Sequence, residues 1–278
     1  MLMPCKDSYV PYIREAVDSV FNQSFSLWNL ILIDDHSTNP ETLAFFEIYK
    51  DCADERVSFL RNESQFVTGA LNTGMRHAKT PYVCSLHCDD RLDIRAIEVL
   101  SHYLEQYPNT DYFHSSRQWI DDVGSPIGTV RTARNSFDLS DFKHFGPVKS
   151  LHCWKVDSAL AIGGMDETLG LHAADDYDFS WCMAEAGYAF KAIPECLYYV
   201  RDHRTHFRLT THVPLETQIN ELKKIFTKHG MTEREKEKEI EIRKAGYMRE
   251  AIYLNDEDKR EKDEANYDIR QSWRQTLK

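Results

Sequence analysis

The stretch Tyr82-Val-Cys-Ser-Leu-His-Cys-Asp-Asp-Arg91 is a short apolar run that ends in two adjacent aspartates. It follows an earlier run of the same form, Leu30-Ile-Leu-Ile-Asp-Asp-His-Ser-Thr38. An apolar strand that delivers carboxylates at its C-terminal end, in a chain alternating strand and helix, puts them in the crevice where open α/β sheets bind ligands. Asp34–Asp35 and Asp89–Asp90 are therefore expected at one edge of one sheet, as a place to hold a metal and a nucleotide.

The flanking segments supply the alternation. From Asp7 or Ser8 to about Gln23, apolar residues at Val10, Ile13, Val17, Val20 and Phe21 carry helical spacing, with Pro11 tolerated in the first turn. Strands are expected over Leu30–Ile33, Val57–Leu60 and Tyr82–Leu86. Helices are expected over Thr42–Cys52, Gly69–Ala78 and, capped by Asp93, Ile94–Gln106. Such alternation implies a mostly parallel, Rossmann-like central sheet flanked by helices. Further on the pattern predicts a strand over Tyr112–Ser115, helices over Val156–Ile162 and Tyr177–Ala186, and two short strands, Phe190–Ile193 and Leu197–Arg201.

With 278 residues and 42% hydrophobic content, the chain is long enough for one large α/β domain with a buried core. A net charge of -11 with no basic stripe excludes a nucleic-acid backbone as the main partner, since phosphate contacts need clustered Lys and Arg. Seven scattered cysteines with no C-x-x-C pair indicate a reducing cytosol. The absence of a leader or a long apolar run indicates a soluble cytoplasmic protein, or one peripheral at the inner face of a membrane.

After Pro214 the character shifts, so residues 1–213 are expected to form the catalytic domain and 214–278 a charged helical C-terminal extension. Leu215–His229 is amphipathic. Beyond Thr232 both charges are dense, as in Glu233-Arg-Glu-Lys-Glu-Lys-Glu239, and the expected state is a solvated helical tail. Its sparse apolar positions, among them Ile240, Tyr247, Ile252 and Trp273, could dock on the main domain or mediate a homo-oligomer.

Taken as an ordered set, several motifs resemble the family 2 glycosyltransferases of the GT-A fold. They are Pro4 at the end of a first strand, the helix Tyr12 to Phe25, Ile33-Asp-Asp-His-Ser-Thr38, Ala70-Leu-Asn-Thr-Gly74 before Asp89-Asp90, Gly163-Gly-Met-Asp-Glu167, and Ala174-Asp-Asp-Tyr-Asp-Phe179. The resemblance covers about Met1 to Arg208. It implies an inverting, metal-dependent transferase that moves a sugar from a nucleotide-diphosphate donor, UDP-linked by preference, to an acceptor hydroxyl.

The same resemblance assigns the site. Asp35 contacts the nucleotide base, where a carboxylate accepts the N3–H of uracil. Asp89 and Asp90 hold Mn²⁺ or Mg²⁺ and ribose, because two adjacent acids at a sheet edge need a cation to neutralise them. Asp176 is the general base that takes the acceptor proton, and Asp175 stands where many relatives carry glutamate. Pro4, Leu71 and His87 fall on the donor side; relatives often have arginine where Leu71 stands and aspartate where His87 stands. His203 and His206 are further candidate metal or phosphate ligands, and Arg201 and Arg204 are candidates for pairing with phosphate. Relatives also carry several apolar residues before Pro4, whereas here there is only Met1-Leu2-Met3. The first strand is expected to be truncated, and added upstream residues to be stabilising.

The acceptor, whether glycan, lipid or small molecule, has no signature. The segment His114 to Trp154, rich in aromatic and basic residues including Trp119, Phe142, His144, Phe145 and His152, is expected to line its side. Two rival classes remain. One is a catalytically inactive GT-A-like scaffold, disfavoured by the retained aspartates. The other is a nucleotidyltransferase, disfavoured because Met3-Pro-Cys-Lys-Asp-Ser8 has no glycine with which to wrap phosphate.

Overall fold

The computed structural model describes residues 1–144, 146–170, 175–203, 206 and 213–246. Phe145, Ala174, Arg204 and the tail positions Tyr247, Ile252 and Trp273 lie outside the described residues.

The first half of the chain is a parallel βα array. Strand β1 (Leu2–Cys5), helix α1 (Val10–Phe21), β2 (Leu30–Asp34), α2 (Pro40–Lys50), β3 (Val57–Arg61), α3 (Phe66–His77) and β4 (Tyr82–Ser85) follow one another. β1 lies parallel to β2 over Leu2↔Ile31 to Cys5↔Asp34 and also pairs in parallel with β4. All four residues of β1 are buried, and the Met1 ammonium donates to the Asn29 carbonyl (2.6 Å).

Beyond β4 the sheet becomes mixed. The elements are β5 (Arg91–Leu92), α4 (Ala96–Gln106), β6 (Tyr112–Ile120), β7 (Pro126–Arg131), a 3₁₀ turn (Leu139–Lys143), β8 (His152–Lys155), α5 (Val156–Ala161), α6 (Asp175–Glu185) and β9 (Phe190–Arg201). The strand order is β3-β2-β1-β4-β8-β6-β9-β5, with β7 beside β6. β8 is antiparallel to both β4 and β6, while β9 runs parallel to β6 and antiparallel to β5. β9 is one strand where the sequence predicts two. Register shifts against β6 absorb the interruption at Pro194, which has no N–H for the ladder.

Alternation along the strands sorts the core into two layers. Leu2, Ile31, Ile33 and Val83 face one side with α3 and α6; Met3, Leu30, Leu32 and Cys84 face the other with α1, α2 and α4. Gly74 in α3 permits the close approach of that helix, since a Cβ there would sit 2.7 Å from Ile33 Cδ1 and 2.9 Å from Leu2 Cδ2.

The expectation of a solvated tail fails for its described part. Helices α7 (Leu215–Lys228) and α8 (Glu233–Gly246) bury Leu222, Ile225, Phe226 and Ile240 in the same core layer as α3 and α6. The charges that suggested solvation are paired instead: buried Arg243 donates to Glu239 (3.0 Å) and to the Tyr177 hydroxyl (3.2 Å). Among the described residues no helix is long and apolar enough to cross a membrane.

Candidate active site

Because β2, β1 and β4 run in the same direction, Asp34, Cys5 and the segment leading to Asp89 emerge at one sheet edge. The Cys5 thiol, between them, is pushed up by burial and by Cys88, and then by the charges of Asp89 and Asp34. The two acid pairs therefore flank one point, as the sequence predicts.

Asp34 is a turn-former: its Oδ1 accepts the Ser37 N–H (2.8 Å), while the cap of α2 is Asn39. Asp35 is buried, and burial raises its carboxyl pKa even though Asn62 Nδ2 donates to its Oδ1 (2.7 Å). Asn62, absent from the sequence-level candidates, also donates to the Phe66 carbonyl (3.1 Å) and so ties the end of β3 to α3.

Asp89 and Asp90 have different surroundings. Asp90 is buried; its Oδ2 accepts from the Tyr198 hydroxyl (2.8 Å) and its Oδ1 from the Arg201 N–H (2.8 Å). Burial, followed by the charge of Asp89, pushes its pKa up to about 6. The Asp89 side chain keeps 27% exposure, and its Oδ2 lies 3.1 Å from Nε2 of buried His203. Nδ1 of His203 has no hydrogen-bond partner among the described residues. The donor set fits a hard divalent cation: an exposed carboxylate, a histidine with one uncommitted nitrogen, and a second carboxylate that stays partly protonated without a neutralising charge.

Arg201 does not stand ready for a phosphate. It is fully buried, and its guanidinium donates to the carbonyls of Asp89 (2.9 Å), Asp121 and Asp122 (3.1 Å each) and to Glu15, above the ring of Tyr12. His206 stacks on Tyr9 at 4.0 Å. Leu71 also needs correction as a donor-contacting residue. It lies on α3, fully buried in the core, and presents no surface to a ligand. Pro4 is buried inside β1.

The opposite wall is the start of α6. Asp175 is buried, and burial with the adjacent charge of Asp176 pushes it up to about 6. Asp176 has a side chain 44% exposed, and its Oδ2 lies 3.2 Å from His152 Nε2, off the line of a good hydrogen bond. Burial opposes its charge, but His152, Arg117 and His87 more than compensate and hold its pKa below the ordinary carboxylate value. His87 links the walls. Burial works against its proton, yet the charges of Asp90, Asp89, Asp175 and Asp176 together raise its pKa, so both aspartate pairs act on one imidazole.

Other expected lining residues prove structural. Phe142 and Trp154 are fully buried in the core, whereas His152 reaches Asp176. The segment Gly163 to Glu167 is clasped by Asn72 of α3, which accepts from the Met165 N–H (2.8 Å) and donates to the Met165 carbonyl (2.9 Å) and Glu167 (2.8 Å). Farther along α6, Asp178, Cys182 and His229 bring potential metal-ligating atoms within 4.8 Å of one another. This set is filled by protons. Asp178 and Glu185 lie 3.0 and 2.9 Å from the two ring nitrogens of His229, Lys228 donates to Asp178 (2.7 Å), and the ring lies flat on Trp181 at 3.9 Å. Against burial, the bonds to Asp178, Cys182 and Glu185 raise the His229 pKa to about 9.

The family model for glycosyl transferase family 2 matches residues 1–151. An uncharacterised glycosyltransferase of Methanocaldococcus jannaschii, MJ1057, is 24% identical over 189 residues, which are 67% of this chain and 64% of that protein. The poly(ribitol-phosphate) β-N-acetylglucosaminyltransferase TarP of Staphylococcus aureus is 37% identical over 94 residues, 33% of this chain and 28% of that protein. The chain thus spans less than two thirds of the length of these curated relatives.

Among solved structures, S. aureus TarS 1–349 in complex with UDP-GlcNAc superposes with a TM-score of 0.63 at 15% identity, covering 86% of this chain and 69% of that one. The mannosyltransferase PcManGT of Pyrobaculum calidifontis, in complex with GDP-Man and Mn²⁺, gives 0.58 at 16% identity, covering 86% and 66%. These likenesses show the GT-A fold. The matched stretch carries the strand ends Asp34–Asp35 and Asp89–Asp90 and spans more than half of the chain, and on that ground the protein belongs to glycosyl transferase family 2.

Proposed function

We propose that the protein transfers a sugar from a nucleotide-diphosphate donor, UDP-linked by preference, to an acceptor hydroxyl with inversion at the anomeric carbon. The observation that carries this reading is a crevice with one partly exposed carboxylate on each wall, each beside a buried histidine: Asp89 Oδ2 at 3.1 Å from His203 and Asp176 Oδ2 at 3.2 Å from His152. Such a crevice sets a cation-holding wall opposite a base-bearing one. TarS in complex with UDP-GlcNAc and PcManGT with GDP-Man and Mn²⁺ support the substrate class and the metal.

Asp35 takes the base, its buried carboxylate accepting the N3–H of uracil. Asp89 is the direct ligand for Mn²⁺ or Mg²⁺, with His203 beside it. Asp90, its oxygens engaged by Tyr198 and the Arg201 N–H, holds the β4 and β9 ends in place behind Asp89. A bound divalent cation would neutralise the charge that develops on the departing diphosphate. His87 donates to phosphate or ribose.

Asp176 is the general base. It is ionised at neutral pH and half exposed, so it can accept the proton of the acceptor hydroxyl as that oxygen attacks C1 on the face opposite the leaving phosphate. Residues 1–213 act as the catalytic domain. The extension from 214 begins with α7 and α8, which back α6 through Phe226 and Arg243.

The test is turnover of UDP-N-acetylglucosamine labelled at C1, with Mn²⁺ and water as acceptor, followed by NMR. Release of UDP with the β anomer appearing first, lost in Asp176→Asn, is expected. The α anomer appearing first, or unchanged release in Asp176→Asn, would overturn it.

A further inference from the structure

Asp176 meets the sheet through one side chain, His152 of β8. That strand lies between β4 and β6, with Ser85 and His114 as the cross-strand neighbours of His152. One imidazole nitrogen, Nδ1, lies 3.0 Å from the Tyr112 hydroxyl; the other, Nε2, lies 3.2 Å from Asp176 Oδ2 and has no other partner among the described residues.

The direction of the first bond follows from Tyr112. Its phenol is completely buried, and burial together with the charge of Asp176 keeps the proton on the oxygen far above neutral pH. His152 Nδ1 is the only partner of that hydroxyl among the described residues, so unless the buried O–H is to go unpaired it donates to Nδ1, Nδ1 accepts, and Nε2 carries the ring proton. The Tyr112 ring is clamped, stacked on Phe190 at 4.8 Å and packed against Trp154 and Phe179, so the hydroxyl has little freedom to leave Nδ1. The half-exposed Asp176 carboxylate can turn about its own torsion to meet the fixed N–H.

We propose that His152 is the positioning residue for Asp176: with its Nδ1 occupied by the Tyr112 hydroxyl, its Nε2–H donates to Oδ2 and aims the carboxylate at the acceptor hydroxyl. This rests on the reading of Asp176 as the general base. During transfer, the acceptor O–H proton passes to Asp176 as the acceptor oxygen bonds to C1. The C1–O bond to the diphosphate breaks with its electron pair leaving on the nucleotide, and the His152 proton stays on Nε2. The opposite tautomer would present a lone pair to the carboxylate and favour its protonated form.

Other charges around Asp176 are Arg117 of β6, His87 after β4, and Asp175 and Asp178 on its own helix. His114, across the strand from His152, contributes no charge, because burial above all pushes its pKa down to about 3. Its Nε2 has no partner among the described residues.

The test uses the full chain labelled with ¹⁵N at histidine, read by two-bond proton–nitrogen correlation, with the His152 signals identified by their absence in His152→Gln. At pH 8 a protonated Nε2 and bare Nδ1, passing to a mixture of tautomers in Tyr112→Phe, is expected. Protonation at Nδ1 in the wild type at that pH would overturn the proposal.

A second measurement titrates ¹³C-carboxyl aspartate, with Asp176 identified by Asp176→Asn. Its midpoint should rise by about one pH unit in His152→Phe and by much less in His152→Gln, whose amide restores a donor. An unchanged midpoint in a folded His152→Phe would also overturn the proposal; if that variant does not fold, the Tyr112→Phe tautomer shift decides. Turnover retained in Asp176→Asn would remove the base reading while leaving the tautomer result standing.

Discussion

The two walls of the crevice use the same parts differently. Each has adjacent aspartates of which one is buried and pushed up to about 6, Asp90 on one side and Asp175 on the other. Each has a second, more exposed aspartate beside a buried histidine: Asp89 with His203, Asp176 with His152. The difference lies at the far nitrogen of the histidine. Nδ1 of His203 has no partner among the described residues, whereas Nδ1 of His152 is held by Tyr112. A carboxylate beside a histidine with an uncommitted nitrogen suits a cation; one beside a histidine of fixed tautomer suits proton transfer. Division of labour between similar acids is set by environment.

The largest expected effect that separates the walls is on turnover. Asp176→Asn should lower it by roughly 10³-fold while leaving nucleotide binding, read as a melting shift, in place; loss of both would mean the walls are not separable. On the other wall, Asp89→Asn should abolish the Mn²⁺-dependent part of nucleotide stabilisation. That part is about 2.7 kcal/mol at a ligand concentration one hundred times Kd, which is several degrees in Tm. Persistence of the shift in calorimetry would remove Asp89 as the direct ligand.

A third contrast lies one turn along α6, where His229 is bound by Asp178 and Glu185 rather than facing the crevice. Its folded pKa is raised from 6.5 to about 9. The stability it contributes is therefore fully present below pH 6.5 and lost as pH rises through about 9. Denaturant titrations should show a decline on the order of 3 kcal/mol across that window, flattened in His229→Gln. An equal decline in the variant would assign the pH dependence elsewhere. The smallest effect is expected for Tyr112→Phe, which removes one buried hydrogen bond worth about 1 kcal/mol. Steady-state kinetics should show a loss of several-fold in kcat with KM for the donor unchanged; a change confined to KM would contradict a role on the base wall.

Much of this arrangement is legible in the chain. Asp35, Asp89 and Asp90 follow apolar strands, and the Ala70 to Gly74 motif marks where α3 must come close to β1 and β2, as the distances of 2.9 Å to Leu2 and 2.7 Å to Ile33 from a Cβ at Gly74 demonstrate. What surrounds those acids is not. Tyr198 and Arg201 reach Asp90 because β9 returns between β6 and β5, and His152 reaches Asp176 because four-residue β8 is inserted antiparallel between β4 and β6. Those registers are long-range facts that local periodicity does not carry. The charge-rich tail misleads for a related reason. Glu239 and Arg243 look solvated in sequence, yet they pair with each other in a buried layer that also takes Phe226 and Ile240.

The most direct test is a thermal-shift panel of UDP, GDP, dTDP and CDP, each with and without Mn²⁺, on the wild type, Asp89→Asn and Asp176→Asn. A Mn²⁺-dependent rise that is largest with UDP, absent in Asp89→Asn and retained in Asp176→Asn is the predicted result. No rise with any diphosphate, or a rise undiminished in Asp89→Asn, would contradict it.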